Sequence, residues 1–277
     1  MPADANTYAQ MQKTYYDERA RTEEDAKGLV HPDYELASTQ AIPALSYVLL
    51  EYGSRSADKI EGDDFQTIAT QLSTLPRNLA VLDFGCGVGR LMEPLARQGF
   101  RVDGTDISEQ MLSFARKKPV LATSQFYLSS GTDCGGAPSG NYDIVYSCLC
   151  IQHIATRAVR NAIIASIADA LRDGGMVSIQ LHYYPDHSSL QVPAPHVPWA
   201  VDKFDAEGTN SDADVWVTPD QLHIVLEDFR KHFQDIRLQF IEFPQEAKLF
   251  TGAYGTRFEH VIVSGTKGYS LAGRLYP

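Results

Sequence analysis

The chain has 277 residues, with 24 Lys and Arg against 35 Asp and Glu, a formal charge of −11 at pH 7. At 44% hydrophobic and 21% charged it has the composition of a folded globular protein, long enough to bury a core without a disulfide or metal staple. So acidic a surface repels phosphate backbones and anionic lipid, which argues against nucleic acid and membrane as partners.

The N-terminus carries no basic flank ahead of an apolar run, so no leader peptide is expected, and no stretch is long enough to span a bilayer. Cytoplasmic residence is the expectation. Cys86, Cys134, Cys148 and Cys150 contain no Cys-x-x-Cys pair and are expected to be reduced core thiols, with no metal. Residues 1–78 read as a helical cap or lid. Thr7–Ala26 is charged and tyrosine-bearing, and Phe65, Ile68, Leu72 and Leu75 mark one face of a helix.

From Leu79 short apolar runs alternate with amphipathic segments, the pattern of βα units and a mainly parallel sheet. Strands are predicted at Leu79–Phe84, Phe100–Asp106, Gln125–Leu128, Tyr142–Cys150 and Met176–His182. Helices fall between them, at Arg90–Gln98, from a Ser108 cap to Ala115, and through Val159, Ile163, Ile167 and Leu171. An insertion, 183–217, holds four prolines and two tryptophans without a period, and insertions of that kind are usually functional. Thr218-Pro219-Asp220-Gln221 then reads as a capping box opening a helix through Leu222, Val225, Leu226, Phe229 and Phe233. Strands at Ile236–Phe243 and Val261–Ser264 finish the 79–277 domain.

The densest local signal is Val81-Leu82-Asp83-Phe84-Gly85-Cys86-Gly87-Val88-Gly89-Arg90-Leu91. A strand running into alternating glycines and a helix lets backbone approach a nucleotide-like ligand. A dinucleotide loop would have its third glycine where Arg90 stands. Asp83 would repel a pyrophosphate, whereas it suits a ligand bearing a cation, such as the sulfonium and ammonium of S-adenosylmethionine. Asp106, at the end of the second strand, suits a ribose diol in either case.

Asp83-x-Gly85-x-Gly87-x-Gly89, Val102-Asp103-Gly104-Thr105-Asp106-Ile107-Ser108 with Met111, Tyr142-Asp143-Ile144-Val145, Gln152-His153-Ile154 and Leu171-Arg172-Asp173-Gly174-Gly175 together resemble class I S-adenosylmethionine-dependent methyltransferases of the small-molecule type. The resemblance covers about 79–181 and implies an α/β, Rossmann-like, seven-stranded mainly parallel sheet with the last strand antiparallel and helices on both faces. It implies S-adenosylmethionine as cofactor and S-adenosylhomocysteine as product. Gly85, Gly87 and Gly89 would wrap the methionine moiety, Asp83 would sit near its ammonium, and Asp106 would hold the ribose. Ile107 and Met111 would pack on adenine, Thr132 and Asp133 would meet its amino group, and Tyr16 would close over the cofactor.

Ligands in open α/β sheets bind beyond the carboxyl ends of the parallel strands. His153 and His182 follow strands there and are the candidate general bases. Tyr183, Tyr184, Trp199, Trp216, Tyr254 and Arg257 are the candidate acceptor contacts. The expected reaction is in-line methyl transfer to a small molecule, at oxygen. Transfer to nitrogen or carbon, and a non-catalytic cofactor-binding regulatory subunit, stay open, as does a homodimer.

Overall fold

The computed structural model describes residues 5–21, 77–184, 197–200, 215–242 and 259–268. The predicted helix at 64–75 and most of the insertion lie outside them, as do Tyr254 and Arg257. Helix α1 (Ala5–Arg19) stands first. Then come β1 (Ala80–Phe84), α2 (Met92–Arg97), β2 (Arg101–Asp106), α3 (Glu109–Arg116), β3 (Phe126–Leu128), β4 (Tyr142–Ser147) and α4 (Arg157–Ala170). The rest is β5 (Leu171–Tyr183), β6 (Val197–Pro198), β7 (Val215–Val217), α5 (Leu222–Arg230), β8 (Phe233–Glu242) and β9 (Glu259–Lys267).

The main sheet runs β3-β2-β1-β4-β5-β9-β8, parallel except for β9, which is antiparallel to both neighbours. All seven predicted strands are present in the expected sense. β1 is buried along its whole length, because helices cover both faces of a parallel sheet, which is why it reads as an almost unbroken apolar run. Asp143 anchors its start by accepting the Ala80 N–H at 2.7 Å. At the other end the Ser147 hydroxyl donates to the Phe84 carbonyl at 2.9 Å, tying the tip of β4 to that of β1. The chain reverses order between β1 and β4, and the ligand crevice of such sheets opens there.

Three expectations need correction. The fourth strand ends at Ser147, not Cys150, because the chain turns through Leu149 in a left-handed conformation (φ 55°). Thr218 caps no α-helix. It precedes a 3₁₀ turn over Pro219–Gln221, and its hydroxyl bonds the Asp220 carboxylate at 2.6 Å. The insertion is not without structure: β7 pairs in parallel with His182 and Tyr183, beyond the point where β4 stops, and β6 pairs with β7. Ser108, in contrast, caps α3 as expected, accepting the Met111 N–H at 3.2 Å.

Candidate active site

A cavity of about 240 Å³ opens over the tips of β1, β2 and β4. The loop after β1 builds one wall. Gly85 has φ +77°, and a Cβ on it would collide with the Cys150 side chain, so only glycine passes there. The N–H groups of Gly85 and Cys86 both donate to the Thr105 carbonyl, at 2.8 and 3.0 Å, which locks the loop onto β2. Gly87 leaves open space where a Cβ would be and faces the cavity. Gly89 does not line it. Its Cβ position falls 2.7 Å from Leu121 Cδ1, so this glycine serves the packing of the loop on the helix layer.

Two carboxyls share the cavity, Asp83 buried and Asp106 half-buried. Asp106 is held by the Gly87 N–H at 2.8 Å and the Ser108 N–H at 2.9 Å, one to each oxygen. Burial pushes it above the ordinary carboxylate range, against those backbone donors. Asp83, 2% exposed, sits beside Tyr146 of β4. Burial pushes it up to about 7, helped by the Asp106 charge and opposed by the Tyr146 hydroxyl and Arg90. Its Oδ2 makes no well-formed hydrogen bond among the described residues, although the Tyr146 hydroxyl stands close enough to act on it. A buried carboxyl so placed is better met by a ligand that brings a positive charge than by one that brings a phosphate.

Ile107 and Met111 form an apolar shelf at the next part of the wall, with Ser129 and Gly131 after β3. Thr132 and Asp133 stand behind that loop, outside the cavity. The Asp133 carboxylate accepts from Ser130 N at 3.0 Å, Ser130 Oγ at 2.7 Å and Gly135 N at 2.8 Å. Although burial works the other way, these donors hold it below the ordinary range, and it is spent on shaping the turn. Tyr16 and Gln12 of α1 also line the cavity.

The opposite wall is Cys148, Leu149, Cys150, His153 and Ile154. Cys86, Cys148 and Cys150 thus line the cavity, and Cys134 does not; Cys86 and Cys134 belong to the buried core, as expected of core thiols, with Cys148 and Cys150 packed against it. Burial pushes all of them up, so they stay neutral thiols. His153 ends a 3₁₀ turn, Ile151–His153, its N–H donating to the Cys150 carbonyl at 2.9 Å. His182 of β5 stands edge-on to it, ring centroids 6.4 Å apart, so the two candidate bases are neighbours, but only His153 lines the cavity.

Of the described residues expected at the acceptor, Tyr183, Tyr184, Trp199 and Trp216 do not line it either. Trp199 is fully buried, its Nε1–H donating to Asp228 at 3.0 Å while the Arg160 guanidinium stacks over its ring at 4.5 Å. Tyr184 stacks on Trp216 at 3.8 Å, and Tyr183 packs on Phe240 at 4.7 Å. These side chains fill the core under β5 and β7. Among the described residues no group of three His, Cys, Asp or Glu side chains is placed to hold a metal ion.

Sequence reading missed Gln12, Ser129 and Arg90 as lining residues. Gln12 had a readable signal, since Tyr8, Gln12 and Tyr16 recur every fourth residue and share one face of α1. The loop position of Ser129 had none.

Residues 81–175 match a family model described as a methyltransferase domain. The chain is 34% identical over 102 residues to the ubiquinone biosynthesis O-methyltransferase of Hydrogenovibrio crunogenus, covering 36% of this chain and 41% of that one. It is 33% identical over 132 residues to the trans-aconitate 2-methyltransferase of Variovorax paradoxus, covering 46% and 48%. The chain thus spans less than half the length of these two curated relatives. A methyltransferase of Haloferax volcanii, solved in complex with the Trm112 methyltransferase activator, superposes with a TM-score of 0.53 at 18% identity, covering 92% of this chain and 98% of that one. That likeness concerns the fold.

Proposed function

With residues 81–175 matching a methyltransferase domain, we propose that the chain is a class I S-adenosylmethionine-dependent methyltransferase that binds its cofactor in the cavity over β1, β2 and β4 and methylates a small-molecule acceptor at oxygen. The observation that carries the cofactor reading is Asp83, a buried carboxyl whose Oδ2 makes no well-formed hydrogen bond, facing a cavity whose other acid is Asp106. Such a pair disfavours a dinucleotide pyrophosphate and suits the ammonium and sulfonium of this cofactor. Bound there, the cofactor supplies a methyl group already activated on a positively charged sulfur.

The chain's own residues orient and shield. Gly85 and Gly87 give backbone room for the methionine portion, and Asp83 ionises as it meets the ammonium. The Asp106 carboxylate, held rigid by its two backbone donors, keeps free lone pairs for a ribose diol. Ile107 and Met111 offer an apolar face to adenine, with Tyr16 above. His153 accepts the proton from an acceptor hydroxyl, and the apolar wall of Leu149 and Ile154 excludes water. Support for a small oxygen acceptor comes from the relatives named for ubiquinone biosynthesis and trans-aconitate. No helix among the described residues is long and apolar enough to cross a membrane.

Thermal shift separates the cofactor classes, because a ligand that binds only the folded state raises the melting temperature. S-adenosylhomocysteine is expected to raise it and NADH to leave it unchanged; the reverse would reject the proposal. Transfer of radiolabelled methyl to a panel of phenols, carboxylic acids and amines tests the acceptor. Label on the hydroxyl or carboxyl compounds is expected, and label on the amines alone would move the reaction to nitrogen.

A further inference from the structure

The turn that carries His153 is gripped through its main chain by side chains of α1 and of α4. The His153 carbonyl accepts two hydrogen bonds from α1, from Gln12 Nε2 at 2.9 Å and from the Tyr8 hydroxyl at 3.3 Å. The same hydroxyl accepts the Ala155 N–H at 2.7 Å. The next carbonyl, of Ile154, accepts from Arg160 Nη1 at 2.5 Å, and the other end of that guanidinium donates to the Trp199 carbonyl at 2.5 Å. Tyr8 is 1% exposed, Gln12 4% and Arg160 0%, so water competes for none of these bonds. Each would be costly to leave unmade.

We propose that Tyr8 and Gln12 are positioning residues: docking of the N-terminal helix, through these two side chains on the His153 carbonyl and the Ala155 N–H, sets where the His153 ring stands in the cavity. The inference rests on His153 as the base. The short 3₁₀ turn has little rigidity of its own, and the positive φ of Leu149 just before it shows a backbone held by its surroundings. Gln12 also lines the cavity, so an element that borders the ligand is the one that sets the base. Tyr8 does not line it. A second anchor of α1, the Ser108 hydroxyl donating to Asp17 at 2.5 Å, lies at the other end of the helix and touches nothing in the His153 turn.

That separation makes the test selective. Protein labelled with [13Cε1]-histidine gives one ring signal per histidine, and His153 is assigned as the signal lost in His153→Asn. Tyr8→Phe keeps the buried ring and removes only the hydroxyl. Its His153 signal is expected to shift by more than a linewidth and broaden, while the calorimetric dissociation constant for S-adenosylhomocysteine stays within about twofold. Asp17→Asn is expected to leave the His153 signal in place. If Tyr8→Phe does not fold, Gln12→Met carries the His153 signal measurement alone, because Gln12 lines the cavity. An unshifted His153 signal overturns the proposal, and so does an equal shift in Asp17→Asn, which would reduce the effect to helix docking in general. Because the signal is read on ligand-free protein, failure of S-adenosylhomocysteine to bind the wild type would sink the cofactor reading and leave this one tested separately.

Discussion

Two regions of the molecule carry the residue types a sequence reader looks for in a site, and they have opposite fates. Over β1 and β2, Asp83 and Asp106 face open space, and one carboxyl oxygen makes no well-formed hydrogen bond. Under β5 and β7, Trp199, Arg160 and Asp228 are fully buried and Arg157 half-buried, and the Asp228 carboxylate has its donors in place. Arg157 donates to both oxygens of Asp228 at 2.9 and 2.8 Å, with Trp199 Nε1 and Lys231 adding a donor each. Residue chemistry does not separate a binding site from a structural cluster. What does is whether the polar groups already have their partners.

The largest effect that would break this contrast is on stability. Asp228→Ala strands the buried Trp199 N–H and the Arg157 guanidinium, and is expected to cost about 3–5 kcal/mol in denaturant unfolding with S-adenosylhomocysteine affinity retained. Loss of affinity at unchanged stability would put Asp228 in the site. Its carboxyl is held down at about 2 by those partners against burial. A depressed carboxylate stabilises the fold above its unfolded value, so this contribution fades as pH falls from about 4 toward 2.

Asp106→Ala is expected to weaken S-adenosylhomocysteine binding by about 2–4 kcal/mol, read by calorimetry, since it removes a charged acceptor. Asp83 sharpens the comparison further. Its folded value near 7 lies above the unfolded carboxyl, so the group favours folding at low pH and works against it as pH rises toward 7. A cationic ligand prefers the ionised form. Ligand affinity should therefore climb between about pH 6 and pH 8 and then level off, while Asp83→Asn abolishes that climb and stabilises the ligand-free protein at pH 8. A pH-independent affinity in the wild type would contradict the assignment. The smallest effect belongs to Thr132→Ala, which is expected to change the dissociation constant by less than about twofold, because the side chain lies behind the cavity wall.

The sheet was legible because its signals are periodic. Buried parallel strands such as Ala80–Phe84 and Tyr142–Ser147 read as apolar runs, and the glycine loop and Asp106 sit at strand ends where the fold leaves an opening. Ser108 was legible as a cap for the same local reason. Trp199 and Tyr184 were misread because an aromatic that packs a core and one that meets a ligand look identical without coordinates. Gly89 was misread because a glycine can serve a helix contact as well as a ligand. Nor could the sequence show that Gln12 reaches His153, a contact across 141 positions that only the folded helix makes.

The central claim, an adenosine ligand that brings an ammonium to Asp83 and its ribose to Asp106, is tested most directly by a crystal structure with S-adenosylhomocysteine. The expected result is the ribose hydroxyls on the Asp106 carboxylate, the ammonium on the Asp83 side and adenine over Ile107 and Met111. A ligand bound elsewhere, or a cavity left empty at saturating concentration, would contradict it.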